Sequence, residues 1–272
     1  MRTIVHVSDL HFGAVDPTLL SPLREAILGI RPDVLVVSGD LTQRARKSQF
    51  EAARAYLATL DLPQIVVPGN HDIPLYDLVR RFFSPLTRFR KFISNEALPV
   101  FFDDEIAIVG VNTARSLTFK GGRINVAQVR AVADRFEGLP EAVTRIVVTH
   151  HPFEVPPGGD ESDVLGRAPM AMAEFARAEV DVFLSGHLHL SNTVTTAQRY
   201  RIEGFAAIVV QAGTATSTRE RGEQNAFNVL RIGRNDLHIQ TLAWAPSQGA
   251  YLPSAEKCFT YLRGTGWHAS NA

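Results

Sequence analysis

Six runs rich in valine and isoleucine, each as long as a β-strand, constrain this chain more than any other feature. They are TIVHVS (3–8), VLVVS (34–38), QIVVP (64–68), IAIVGV (106–111), RIVVTH (145–150) and VDVFLSG (180–186). A strand with one face in water alternates apolar and polar residues, whereas a strand covered on both faces hardly does. The runs therefore predict strands inside a layered α/β fold. Helical patterns lie between several of them. Ser48 and Glu51 have capping-box spacing ahead of Phe50, Ala53, Leu57 and Leu60. Asn125 and Gln128 open a second helix with Val129, Val132 and Phe136 on one face, and residues 168–180 read as a third.

Beyond residue 190 the pattern changes to strands without intervening helices, which predicts antiparallel hairpins completing a second sheet. The expected architecture is two sheets face to face with helices outside. At 272 residues the chain is read as one domain, 1–272, with a motif-bearing part over 1–190, a β-rich completion over 191–250 and a tail over 251–272. The stretch RGTGWHASNA (263–272) has no usable periodicity and is expected to be mobile.

Charge and cysteine content exclude several classes of function. Lys+Arg and Asp+Glu both number 28, so no global field recruits a polyanion. Cys258 is the single cysteine, which rules out an internal disulfide and a thiolate cluster. A metal would then rely on His, Asp, Asn or Glu. The N-terminus reads as a strand rather than a secretory signal, and no run approaches the roughly 20 apolar residues that cross a bilayer. A cytoplasmic location is expected.

In open α/β sheets, ligands bind outside the carboxyl ends of the strands. Asp9 and His11 follow the first run, Asp40 the second, Asn70, His71 and Asp72 the third, and Asn112 the fourth. His150 and His151 end the fifth, and His187 and His189 follow the sixth. Each alone has a plain structural reading: an aspartate can shape a turn, and a histidine can be satisfied in a core. Five of the nine histidines (11, 71, 150, 187 and 189) at strand ends are another matter. In extended backbone the i, i+2 spacing of Asp9/His11 and His187/His189 projects each pair to one side. Two such clamps with lone donors between them can encircle ions, and Asp40, with two carboxylate oxygens, can bridge a pair. His6 lies within a strand and reads as core, His151 as a supporting residue; His238 and His268 stand outside the pattern.

The blocks SDLH, SGDLT, PGNHD, THH and SGHLH, in this order from Asp9 to His189, resemble the calcineurin-like metallophosphoesterase family. In appearance the chain is most similar to the bacterial cyclic-nucleotide phosphodiesterases. The resemblance implies a four-layered α/β/β/α sandwich of two mixed β-sheets flanked by helices. It also implies two metal ions, and mixed carboxylate and imidazole ligands fit Mn, Fe or Zn better than Ca. Asp9, His11, Asp40 and His189 would hold the first, and Asp40, Asn70, His150 and His187 the second, while His71 faces the substrate and Asp72 orients it. The reaction implied is attack on a small phosphodiester by a hydroxide bridging the ions, with His71, made cationic by Asp72, assisting the leaving group.

The first substrate to consider is 3′,5′-cyclic AMP. The alternatives are a glycerophosphodiester, a phospholipid or a nucleic acid, or a scaffold of the same fold without activity. A nuclease would call for a basic track, against which the neutral charge counts. Asn112 and Arg115 are weaker candidates for gripping a phosphate. Residues 80–93, RRFFSPLTRFRKFI, read as an amphipathic helix packed on the domain or touching a lipid surface. Residues 156–169 read as a loop forming a pocket wall or an inert excursion. The C-terminal hairpins offer an edge on which a homodimer could form.

Overall fold

In the computed structural model the structure describes residues 1–218 and 223–270. The first sheet begins with β1 (Arg2–Val7), β2 (Val34–Val37) and β3 (Gln64–Val66). The second contains β4 (Val100–Phe102), β5 (Ile106–Gly110), β6 (Thr144–Val148), β7 (Val182–Ser185), β8 (Asn192–Thr195) and β9 (Ile208–Gln211). The chain then returns to the first sheet with β10 (Ala226–Ile232), β11 (Asp236–Ala245), β12 (Ala250–Leu262) and β13 (Gly266–Ser270). Strand orders are β13-β12-β11-β10-β1-β2-β3 and β4-β5-β6-β7-β9-β8. In the first sheet β1, β2 and β3 run parallel, and β10 joins β1 antiparallel. In the second, β5, β6, β7 and β9 are parallel, with antiparallel edges at β4 and β8.

Strand periodicity explains why the runs are apolar throughout. Val34 and Val36 of β2 point to the core between the sheets, with Ile108, Ile146 and Leu184. Leu35 and Val37 point outward, beneath α1 (Pro17–Ile30) and α2 (Lys47–Leu57). After the short helices α3 (Leu78–Phe83) and α4 (Thr87–Phe92), α5 (Val126–Phe136) and α6 (Ala168–Arg177) cover the other outer face through Val129, Val132, Met172 and Phe175. The molecule is thus two mixed sheets between helical layers.

Four details differ from the sequence reading. α2 is capped by Gln49, whose Oε1 accepts from the backbone N–H of Arg44 (2.9 Å) and Arg46 (3.3 Å), rather than by Ser48 and Glu51. The stretch 80–93 is two helices broken at Ser84–Pro85, since the residue before a proline is pushed out of the α region. The C-terminal hairpins enlarge the first sheet, while only β8 and β9 join the second. Most of the 251–272 segment is paired as β12 and β13, anchored by Trp267 in the inter-sheet core. Alternating patterns identify a strand but not its neighbour.

Candidate metal centre

The carboxyl ends of β1, β2, β3, β6 and β7 bring Asp9, His11, Asp40, Asn70, His71, His150, His187 and His189 into one cluster. The extended-backbone premise for the i, i+2 pairs does not hold. Asp9, His11, Asp40, His187 and His189 have φ of 55°, 49°, 51°, 76° and 60°. Each is in the left-handed region, which costs a non-glycine residue roughly 1–2 kcal/mol. Tight left-handed turns, rather than continued strands, aim these side chains inward.

Hydrogen bonds then orient each donor. Asp9 Oδ2 accepts from Ser8 Oγ (2.6 Å) and from the His187 N–H (3.0 Å). Its Oδ1 accepts no hydrogen bond among the described residues and lies 3.1 Å from His189 Nε2 and 3.5 Å from His11 Nε2. His11 Nε2 and His189 Nε2 are themselves 3.1 Å apart. Asp40 Oδ1 accepts from the His71 N–H (2.8 Å), leaving Oδ2 3.5 Å from His150 Nε2 and 3.8 Å from His11 Nε2.

A carbonyl can only accept, so the 2.8 Å contact with Ser38 O makes His150 Nδ1 the donor and turns Nε2 toward Asp40. Asn70 Nδ2 donates to Phe119 O (3.2 Å). Its Oδ1 thereby faces His150 Nε2 at 3.1 Å and His187 Nδ1 at 3.2 Å. Within this cluster Asp9–His11–His189, Asp9–Asp40–His150 and His11–Asp40–His71 each place one donor atom per residue within 4.8 Å of the others.

The electrostatics favour positive charge. Burial opposes ionisation of Asp9, yet His11 and His189 hold it well below the usual carboxylate range. Burial likewise opposes ionisation of Asp40, which His150 holds low. Burial also disfavours a charged His150, but the Asp40 carboxylate raises that ring to about 9. A fully buried spot that draws an imidazole into its charged form is suited to cations.

His71 lies at the rim, with 19% of its side chain exposed and Nε2 4.0 Å from Asp40 Oδ2. Its Nδ1 donates to Gln43 O (2.9 Å), and the Arg44 guanidinium, 3.4 Å from the same nitrogen, shares that carbonyl. Asp72 does not orient it. Its carboxylate accepts from the backbone N–H of Leu41, Thr42 and Gly69 and from Thr42 Oγ1, which ties the third strand's loop to the second's. Burial, and then the charge of Asp40, push this carboxyl up to about 7.

His151 supports the cluster. Nε2 donates to Lys120 O (2.7 Å), so Nδ1 accepts from Thr113 Oγ1 (2.9 Å), and burial keeps the ring uncharged. Asn112 and Arg115 are engaged elsewhere. Asn112 Oδ1 accepts from the Ala114 N–H (2.9 Å), and Arg115 Nη2 donates to Gln128 Oε1 (2.5 Å), bracing the start of α5. The 156–169 loop folds back onto the centre, with Asp163 Oδ1 3.7 Å from His187 Nε2. Asp163, Gln43 and Arg44 escaped sequence reasoning because none stands at a strand end or in a ligand spacing.

The model of the calcineurin-like phosphoesterase family matches residues 2–191. A glycerophosphodiester phosphodiesterase of Enterobacter lignolyticus is 35% identical over 85 residues, 25% of this chain and 29% of that protein. A cAMP/cGMP dual specificity phosphodiesterase of Mycobacterium tuberculosis is 26% identical over 238 residues, 78% of this chain and 67% of that one. Among solved structures, a purple acid phosphatase from yellow lupin superposes with a TM-score of 0.63 at 14% identity, covering 94% of this chain and 53% of that chain, a likeness of fold.

Proposed function

The chain belongs to the calcineurin-like phosphoesterase family, and from that premise we propose that it is a dinuclear metal-dependent phosphodiesterase acting on a small phosphodiester. The observation that carries this reading is Asp40 Oδ2, placed between His150 Nε2 at 3.5 Å and His11 Nε2 at 3.8 Å. One carboxylate thereby serves two groups of donors.

The residues fit a pair of ions. Asp9, His11, Asp40 and His189 would hold one, and Asp40, Asn70, His150 and His187 the other, with mixed imidazole and oxygen donors suited to Mn, Fe or Zn. When bound, the ions supply Lewis acidity toward a water and toward the phosphate oxygens. The side chains supply the rest. Ser8, Ser38 and Phe119 orient Asp9, His150 and Asn70 before any substrate arrives. His71, its Nδ1–H spent on Gln43 O, takes its second proton on Nε2 and can pass it to the leaving alkoxide. Arg44, beside it, adds positive charge toward the phosphate.

Cyclic AMP and glycerophosphodiesters are the two small substrates to separate, after the relatives named for each. Turnover of both by protein of defined metal content is the test. Less than two bound ions per chain after manganese loading, or no turnover of any phosphodiester, would end the proposal.

One observation favours a second substrate reading, a phosphodiester that carries an acyl chain. Leu78, Val79, Phe82, Phe83, Leu117 and Phe119 are 51–87% exposed. The buried Arg81 side chain holds their two segments together, donating to Pro74 O, Ser116 O and Thr118 O and lying 4.6 Å above the Phe119 ring. Phe119 O in turn bonds Asn70, so this apolar platform adjoins the centre. Comparison of glycerophosphocholine with its monoacylated form tests it. Preference for the acylated diester that Phe83→Ser abolishes supports this reading, and equal rates refute it.

A further inference from the structure

Away from the catalytic cluster, a second set of metal-ligand side chains stands on the outer face of the first sheet. In the register of β11 and β12, His238 is directly opposite Cys258, and Gln240 is opposite Glu256. Leu237, Ile239 and Phe259 point to the core between the sheets. By alternation His238, Glu256 and Cys258 all point the other way. One donor atom from each lies within 4.8 Å of the others. His238 Nε2 is already hydrogen-bonded to Glu256 Oε1.

The cluster is separate from the catalytic one. His238 pairs through Arg231 of β10 to Thr3, at the opening of β1, whereas Asp9 follows the far end of that strand. The side chains of His238 and Glu256 are 27% and 49% exposed, and Cys258 is half-buried, so an ion can reach all three. Cys258, as the single cysteine, cannot build a thiolate cluster. One cysteinate with an imidazole and a carboxylate is a different donor set, borderline in softness and suited to zinc.

The geometry points to a mononuclear zinc site formed by His238, Glu256 and Cys258, with water in the fourth position. Binding replaces the Cys258 thiol proton by zinc and releases that proton to solvent; the histidine binds as the neutral ring and the glutamate as the carboxylate. Because the three residues ride on two strands paired along their length, few degrees of freedom remain to be ordered. The site would pin the β11–β12 hairpin to itself and stabilise the sheet independently of catalysis.

Cobalt(II) is the probe, and the lone cysteine makes it selective. Cys258 is the only thiol in the chain, so a cysteinate-to-cobalt charge-transfer band in the near ultraviolet arises here alone, whatever fills the Asp/His cluster. The experiment titrates the manganese-loaded protein with cobalt(II), then adds zinc. The expected result is a band that saturates at one equivalent per chain, bleaches with zinc, and disappears in Cys258→Ser. His238→Ala and Glu256→Gln should each weaken cobalt binding by at least about tenfold. Phosphodiester turnover by the manganese-loaded variants should stay unchanged. Absence of the band at millimolar cobalt overturns the proposal. A band of undiminished affinity in both His238→Ala and Glu256→Gln also overturns it, since that is a lone thiol binding metal.

Discussion

A β-carbon on Gly39 would stand 2.6 Å from Nδ1 of His150, the nitrogen that donates to Ser38 O. Gly39 also has φ +97°, a conformation that side chains avoid. Two constraints therefore meet at one residue. Gly39→Ala is expected to cost roughly 1–2 kcal/mol in backbone strain and to push the imidazole off its carbonyl. Metal content should fall below two ions per chain, with turnover down by at least about tenfold. Metal analysis with steady-state kinetics checks both; an alanine variant with full metal content and full rate would show that His150 needs no such seat.

His71 and Asp72, adjacent in sequence, should fail differently. His71 holds Gln43 O and reaches the rim, so His71→Ala should keep its metals and lose about 10²–10⁴-fold in kcat. The loss should be largest for substrates with poor leaving groups. Asp72 faces backbone N–H groups, so Asp72→Asn turns an amide donor toward donors and should cost about 1–3 kcal/mol of stability. Urea melts of both variants, beside a leaving-group series, separate the two roles.

Arg199 clamps the loop that delivers Asp163 to His187. It donates to Glu154 Oε1 at 2.7 Å and to both carboxylate oxygens of Glu161 at 2.7 and 2.8 Å. Glu161 is 70% exposed, so solvent screens that arm of the clamp and it adds little to the stability of the fold. The Glu154 side chain is only 8% exposed, so Arg199→Ala strips a buried carboxylate of its cation and should lower the melting temperature, while the freed loop raises KM severalfold and becomes sensitive to protease. Unchanged KM and unchanged proteolysis would make the loop a passive excursion.

Much of the centre was legible because its donors stand next to the strands that position them. Asp9, Asp40, Asn70, His150 and His187 each follow a Val/Ile run within a few residues, and apolar composition marks such runs plainly. The manner of convergence was not legible. The φ of 51° at Asp40 and 76° at His187 are set by neighbours far along the chain, including the Asp9 carboxylate that receives the His187 N–H. The role of Asp72 was misread for a related reason. The family resemblance implies that Asp72 orients His71, but the 3₁₀ turn over Asn70–Asp72 sends the carboxylate back to Leu41 and Thr42. Helical spacing likewise grouped Phe82 and Phe83 with Phe89, although Pro85 lets the first two face solvent while Phe89 enters the core.

Asp181 and Trp267 give a pH dependence that can be isolated from the histidines. Asp181 Oδ1 accepts from Trp267 Nε1 at 2.9 Å, and Oδ2 from the Arg145 N–H at 2.8 Å. Burial outweighs these donors and raises the carboxyl from 3.8 to about 6. Between those values the folded chain keeps a proton that the unfolded chain has released. Stability from this group is therefore present in full below pH about 4 and is lost as pH rises through about 6. The loss amounts to about 3 kcal/mol at most, each tenfold change in proton affinity being worth about 1.4 kcal/mol. Other groups titrate in the same range, so the measurement is a difference: urea unfolding of wild type minus Asp181→Asn across pH 4 to 8. The difference should fall with pH and level off above about 7, and Trp267 emission should shift with the same midpoint, near 6. A flat difference, with emission that ignores pH, would place the Asp181 carboxyl in the ordinary range.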